Sequence, residues 1–248
     1  MTTPKFAPVA LCALLLAASS AEAVTFKGID MALTGSAVLV GADLQLTKAS
    51  GGLVAGAWAT GLLDVTQSFS TTFSFSLQAA DFVPQADGMA LVLQTGGSAA
   101  LGTGGGGIGL AGLTGVASVI QTWDNNRAGL VTNGDAYTAP ISVPGMGTAA
   151  TVTGQQTVSY NAGSHTLAVV GTFDLDGTPV TLNHTVSVDL AAVYAPLMTI
   201  GFVGGTGLSY ADQRITDWSV SSVPEPGSTG LLLAGLLAVG LAARRRLG

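Results

Sequence analysis

The sequence predicts an all-β sandwich, and three observations carry the prediction. From Ser68 to Gln78 the chain alternates without a fault, with Phe69, Thr71, Phe73, Phe75 and Leu77 on one face and Ser68, Ser70, Thr72, Ser74, Ser76 and Gln78 on the other. That is the period of two of a half-buried strand, and it makes the phenylalanines core residues rather than a binding face. No amphipathic helical period and no internal repeat is evident between the two ends of the chain,. The composition, with 35 glycines and 9% charged residues, suits short strands and tight turns. A sandwich of about 200 to 250 residues commonly forms one domain, so 248 residues need hold no more. The scarcity of lysine and arginine argues against nucleic acid, which calls for a basic patch.

The elements follow in order. Residues 1–23 carry Lys5, the apolar run Ala7 to Ala18 and the small-residue exit Ala21-Glu22-Ala23, the pattern of a secretory signal cleaved after Ala23. Thr25 through Ala42 reads as opening strands broken at Gly35 and Gly41, and Asp43 to Thr47 alternates strictly,. Gly56-Ala57-Trp58 precedes a loop, after which comes the Ser68 to Gln78 strand. Met89 to Leu93 is continuously apolar and is expected to lie buried between layers,. Gly134 to Gly154, rich in Gly, Pro and Thr, reads as an irregular excursion. Thr157 to Tyr160, His165 to Phe173, Pro179 to Asp189, Met198 to Val203 and Gln213 to Ser221 read as the remaining strands.

The chemistry concentrates between Ala86 and Asn126. This stretch opens on Ala86-Asp87-Gly88, passes through a glycine run from Gly102 to Gly109, and ends on Thr122-Trp123-Asp124-Asn125-Asn126. A carboxylate accepts two hydroxyl hydrogen bonds, glycines let backbone N–H groups reach a ligand, and a carboxamide both donates and accepts. Such a set at strand ends suits a shallow site for a polar, hydroxyl-rich guest such as a sugar.

Ala86-Asp87-Gly88 followed by Met89 to Leu93, then Gly104-Gly105-Gly106-Gly107-Ile108-Gly109-Leu110, then Val119-Ile120-Gln121-Thr122-Trp123-Asp124-Asn125, resembles the sugar-binding core of the legume-type (L-type) lectins. Ser68 to Phe75, Gly201-Phe202-Val203-Gly204-Gly205-Thr206-Gly207 and the closing Ile215 to Ser221 are similar to that family too, so the resemblance runs nearly end to end over residues 25–222. It implies a concanavalin-like jelly-roll β-sandwich and a sugar site in which Asp87, behind a commonly cis peptide, accepts sugar hydroxyls. The N–H of Gly106 is the second contact, and Asn125 the third, with neighbouring Asn126 competing for that register. The loop containing Gly205 and Thr206 forms a fourth wall that sets sugar preference. Trp123 matches the aromatic of the metal loop or is a core tryptophan.

The family's metal ligands are where this sequence departs. The resemblance places a Glu and an Asp at positions held here by Val119 and Gln121, and Arg127 stands where the family has a His. That removes the transition-metal site. Calcium takes six to eight hard oxygens, carboxylates among them, whereas Gln121, the Trp123 carbonyl and Asn125 supply three neutral ones, leaving Asp124 or Asp135 to be recruited. The alternative is that Arg127, a fixed cation with five donors, replaces the metals and holds Asp87 and Asn125 directly.

The other end of the chain bears on location. Val223-Pro224-Glu225-Pro226, the apolar stretch Gly227 to Ala243 and Arg244-Arg245-Arg246 resemble the PEP-CTERM sorting signal of Gram-negative bacteria. This implies export through the inner membrane, transient membrane insertion of an apolar C-terminal helix, processing by an exosortase-type protease, and a final place at the cell surface or in extracellular matrix. The alternative is a permanent single-span anchor. The organisation expected is thus a signal at 1–23, the sandwich at 24–222 and the sorting segment at 223–248.

Cutting both ends away leaves no cysteine and no glutamate in residues 24–222, since Cys12, Glu22 and Glu225 all lie outside. Catalysis is not expected: glycosidases of related fold use a carboxylate pair, usually with a glutamate. Asp174-Leu175-Asp176-Gly177 reads as a β-turn, and His165 and His184 as ordinary strand histidines. Two functions remain open. One is a lectin-like protein that recognises extracellular polysaccharide, and the other is a structural matrix protein that has lost metal and sugar binding.

Overall fold

The computed structural model describes residues 24–25, 30–80, 83–123 and 126–223. The signal segment, the Pro-Glu-Pro tail, Asp124 and Asn125 lie outside the described residues. Fifteen strands form two antiparallel sheets. The chain lays down β1 (Val24–Thr25), β2 (Met31–Gly35), β3 (Val38–Val40), β4 (Asp43–Thr47), β5 (Val54–Asp64), β6 (Ser68–Ala79), β7 (Gly88–Gln94) and β8 (Gly115–Gln121). It continues with β9 (Arg127–Thr132), β10 (Ile141–Ser142), β11 (Thr151–Asn161), β12 (Thr166–Leu175), β13 (Thr178–Ser187), the one-turn helix α1 (Leu190–Val193), β14 (Leu197–Gly205) and β15 (Ala211–Val223). One sheet has the order β13-β12-β11-β6-β15-β4-β3, with β1 added on β15; the other runs β10-β9-β8-β7-β14-β5-β2. Runs of consecutive strands, β11 to β13 and β7 to β10, are joined to the rest of their sheets by pairs distant in sequence, β6 with β11 and β15 in one and β14 with β7 and β5 in the other.

The inward face of β6 fills the space between the sheets. Phe69, Phe73, Phe75 and Leu77 are all buried, and Phe73 meets Phe202 of β14 edge-on at 5.3 Å between ring centroids. Phe202 in turn packs against Trp218 at 4.9 Å, and the indole N–H of Trp218 donates to the Thr71 hydroxyl at 2.8 Å. Edge-on aromatic pairs of this spacing add about 0.5–1.5 kcal/mol beyond their buried area.

A second apolar cluster explains why β7 and β8 are buried at every position. The outer face of their sheet is roofed by the loops around 100–113 and 131–139, and Trp58, Val92, Ile108, Leu110, Val119, and Val203 pack together beneath that roof. The indole N–H of Trp58 ties the roof down by donating to the Ala100 carbonyl at 2.9 Å. A strand covered on both faces loses its alternation.

Three readings of the sequence change. Trp58 does not precede a loop but sits inside β5, which pairs with β14 and β2. Thr151 to Gln156 belongs to β11, paired with β6 from Gln78 inward, and the excursion before it contains a 3-10 turn at Ala136–Thr138 and the short β10. His165 occupies the β11–β12 turn with φ of 52°, where its imidazole lies 3.5 Å from Asp189. Asp174 to Gly177 is the hairpin turn expected: Gly177 N–H donates to the Asp174 carboxylate at 2.6 Å.

Candidate functional site

The site lies at one end of the roofed sheet, where the chain enters β7 and leaves β8 and β14. The Ala86–Asp87 peptide is cis. Gly88 follows with φ of +145°, and a Cβ there would stand 2.2 Å from the Ile120 carbonyl oxygen. Only glycine allows β7 to lie this close to β8. The Asp87 backbone is fixed on both sides: its N–H donates to the Gly205 carbonyl at 2.9 Å, and its carbonyl accepts from the N–H groups of Thr122 at 3.0 Å and Trp123 at 3.2 Å.

With the backbone pinned, the carboxylate has one direction to take. It faces Gly207, at which a Cβ would stand 3.1 Å from Asp87 Oδ2 and 3.6 Å from the Gly105 Cα. Asp87 is 4% exposed, and Oδ2 has no hydrogen-bond partner among the described residues. Burial lifts its pKa from 3.8 to about 6, with the Gly207 N–H pulling the other way. A buried acceptor held without a partner costs free energy, so its presence beside a glycine loop is a mark of ligand binding.

The glycine loop comes next to it. Gly105–Gly107 form a 3-10 turn. The Gly105 N–H donates to the Thr206 carbonyl at 3.2 Å, and the Gly105 carbonyl accepts from Ile108 N–H at 2.8 Å. The Gly106 N–H has no partner among the described residues. A Cβ at Gly106 would fall 1.6 Å from the Tyr137 hydroxyl, so this phenol, half exposed, lies directly on the loop.

The structure brings Asp87, the glycine loop, Gln121 and the Gly205-Thr206 wall together, while Asn125 lies outside the described residues. Thr206 is 1% exposed, and its hydroxyl is fully used, donating to the Ser50 carbonyl at 2.8 Å and accepting from Leu53 N–H at 2.9 Å. It braces the wall and has nothing left for a ligand. Gly205 is buried as well, and its carbonyl accepts from Asp87 N–H and, at 2.9 Å, from Gln213 Nε2. Gly207 and the fully exposed Leu208 are the parts of that loop turned outward. Trp123 is 40% exposed, a rim residue rather than a core one. Asn126 commits its carboxamide oxygen to Gly147 N–H, which leaves its Nδ2 donors as the part that could reach a ligand.

Arg127 does not take the place expected of it. It pairs with Gln121 across β8 and β9, but its guanidinium Nη1 donates to the carbonyls of Ala139 at 3.2 Å and Pro140 at 3.4 Å. Those carbonyls lie at the end of the roof loop, Ala139 buried and Pro140 exposed. Gln213 and Tyr137 adjoin the candidate site without any mark in the sequence: Gln213 reads as an ordinary strand residue, yet its Nε2 also donates to the Ala86 carbonyl at 3.3 Å.

The described residues do not assemble the metal ligands that the resemblance calls for. Val119 is fully buried in the second apolar cluster. Asp135 caps the 3-10 turn at Ala136–Thr138, accepting from Tyr137 N–H at 3.0 Å. No group of three His, Cys, Asp or Glu side chains occurs among the described residues. Gln121 Oε1 and Thr122 Oγ1 are buried without partners, but neutral oxygens in that number do not make a site for a hard dication.

Known proteins agree with this architecture. Residues 25–230 match the legume lectin domain, and residues 222–246 match the PEP-CTERM protein-sorting motif. A seed lectin of Styphnolobium japonicum is 30% identical over 185 residues, 66% of this chain and 60% of the relative; the chain therefore spans about 60% of the length of that curated relative. Among solved structures, the lectin from Bauhinia forficata in complex with GalNAc superposes with a TM-score of 0.65 at 23% identity, over 83% of this chain and 99% of that one. Arcelin-5, a lectin-like defense protein from Phaseolus vulgaris, gives 0.69 at 18% identity, over 82% and 99%. The chain thus belongs to the legume lectin domain family and carries a PEP-CTERM protein-sorting motif at its C-terminal end.

Proposed function

We propose that this protein is a non-catalytic carbohydrate-binding protein that is exported and sorted to the cell surface or extracellular matrix, where it recognises polysaccharide. The observation that carries the reading is the buried carboxylate of Asp87, a residue whose backbone N–H and C=O are fixed by three hydrogen bonds and whose Oδ2 has no partner among the described residues beside the glycine loop. Sugar hydroxyls would donate to that carboxylate and accept from the Gly106 N–H, and the exposed face of Trp123 suits the apolar side of a pyranose. Asn125 supplies the third polar contact in this reading.

Catalysis is not part of it. Several described acids outside the site have structural partners: Asp174 and Asp176 hold the hairpin and the start of β11, Asp189 caps α1, and Asp43 and Asp212 pair with Arg214. His184 Nδ1 accepts from Leu130 N–H at 3.1 Å, and burial lowers its pKa, so it is a neutral structural acceptor bridging β13 and β9. The organisation that goes with the reading is a signal at 1–23, the sandwich at 24–222 and a sorting segment at 223–248 that an exosortase-type protease processes after transient membrane insertion.

The second reading, a structural matrix protein with a lapsed sugar site, draws on the missing metal carboxylates at Val119 and Gln121. Binding of the purified protein to a panel of neutral mono- and polysaccharides, beside Asp87→Ala, separates the two. Binding that the substitution abolishes is the expected result, and a cooperatively folded protein that binds no glycan would leave the structural role.

A further inference from the structure

We propose that Gln121 is a positioning residue that sets the glycine loop for ligand binding without metal. The inference rests on the reading of the site as a sugar site, but the clamp itself is visible without one. Gln121 ends β8, paired with Gly88 on one side and Arg127 on the other, and is fully buried. Its Nε2 crosses to the glycine loop and donates to the Gly106 carbonyl at 3.2 Å. This is the position at which the family resemblance calls for a metal-binding aspartate, and among the described residues no group of His, Cys, Asp or Glu side chains that could hold a metal ion occurs.

The geometry shows what the amide achieves. A ligand-facing Gly106 N–H is aimed only if the peptide planes on both sides of Gly106 are fixed. The plane before it is set by the Gly105 carbonyl, which accepts from Ile108 N–H at 2.8 Å. The plane after it has two handles: Gly107 N–H donates to the Gly104 carbonyl at 3.2 Å, and the Gly106 carbonyl accepts from Gln121. Tyr137 closes the other side, with its hydroxyl against the Gly106 Cα. Each backbone polar group at Gly106 is thereby committed except the N–H, and a backbone donor left over in a part-buried place is what a ligand acceptor fills.

Glycines have the widest backbone freedom of any residue, so a run of four needs such a clamp to present one N–H in one direction. Pre-organisation of this kind improves affinity by lowering the entropy lost on binding. Asp87 is fixed equally without a metal, by Gly205, Thr122, Trp123 and the Gln213 amide on Ala86.

The test uses the intact protein, wild type beside Gln121→Met and Gln121→Glu. Methionine keeps the length and apolar bulk but has no donor, and glutamate sets a carboxylate against the Gly106 carbonyl. Two readouts are made, each with EDTA and with millimolar calcium or manganese: amide hydrogen exchange across residues 104–108, and binding to the panel sugar of highest affinity. In the wild type both readouts are expected to be the same in EDTA and in either metal. In both variants exchange across the loop should quicken roughly tenfold, the loss of about one hydrogen bond, and sugar binding should weaken in parallel with no rescue by metal.

Wild-type exchange or binding that collapses in EDTA and returns with calcium would overturn the proposal, and needs no variant to be seen. So would Gln121→Met with wild-type exchange and affinity. If the exchange result appears while the wild type binds no glycan, the clamp stands and the sugar reading falls; if the wild type binds and the variants bind equally well, the sugar reading stands and the clamp falls.

Discussion

Asp87 sits at a cost that its ligand would offset. The folded protein keeps the proton of this carboxyl up to about pH 6, whereas the unfolded chain gives it up near 3.8. Between those values the folded state binds the extra proton, so this group's contribution to stability improves as pH falls through the window and is least favourable above it. Asp87→Asn removes the ionisation and keeps the shape. Thermal melts should therefore show the variant more stable than wild type at pH 7.5, with the gap closing by pH 4; a gap that stays constant with pH would contradict the burial account. At Thr206 the effect is structural: Thr206→Val leaves the Ser50 carbonyl and the Leu53 N–H without their shared hydroxyl. Chemical denaturation should show a loss of about 1–3 kcal/mol, and an unchanged midpoint would mean that the wall is held by its backbone bonds alone. Gly106→Ala meets the Tyr137 hydroxyl and is expected to abolish sugar binding while the fold persists, with Tyr137→Ala in the same chain relieving the clash.

Among the elements, β6 shows how much the sequence declares and where it falls silent. Its alternation from Ser68 to Gln78 gives both the strand and its buried face, because one side meets the core and the other meets solvent. β5 carries no such pattern: Val54 to Asp64 changes from buried to exposed along its length as the roof over it ends, so a single periodicity does not describe it. The same reason hides β8 and β9, covered on two faces. In the site, Asp87 and the glycine loop were legible because strand ends and bare glycines leave local marks. The Gln121 and Gln213 amides were not, since a glutamine says nothing of a partner lying 15 residues away at Gly106 or 127 away at Ala86. For Arg127, its place in the sequence where the family has a His says nothing of which acceptors fold toward it, and its guanidinium donates to the Ala139 and Pro140 carbonyls. The aromatic column from β6 to β14 and β15 gives the element-scale prediction. Phe73→Ala opens a void beside Phe202 and should lower stability by about 3–5 kcal/mol in denaturant titrations, whereas Ser74→Ala on the outer face of the same strand should stay within about 0.5 kcal/mol.

For the whole molecule, the sandwich, the roof and the committed backbone groups hold Asp87 and the glycine loop in place by packing and hydrogen bonds. Sites of this depth bind single sugars weakly, and tethering many copies on a surface raises their avidity without new contacts, which suits a chain ending in a sorting motif at residues 222–246. In the proposed function the Asp87 carboxylate, in its ionised form, is the acceptor for sugar hydroxyls. Calorimetric titration of wild type and Asp87→Asn with the sugar selected from the panel, at pH 8 and at pH 5, tests it most directly. The account predicts binding by the wild type at pH 8 that weakens at least several-fold at pH 5, below the carboxyl's value of about 6, and no measurable binding by Asp87→Asn at either pH. Equal affinity at both pH values, or wild-type affinity in Asp87→Asn, would contradict it.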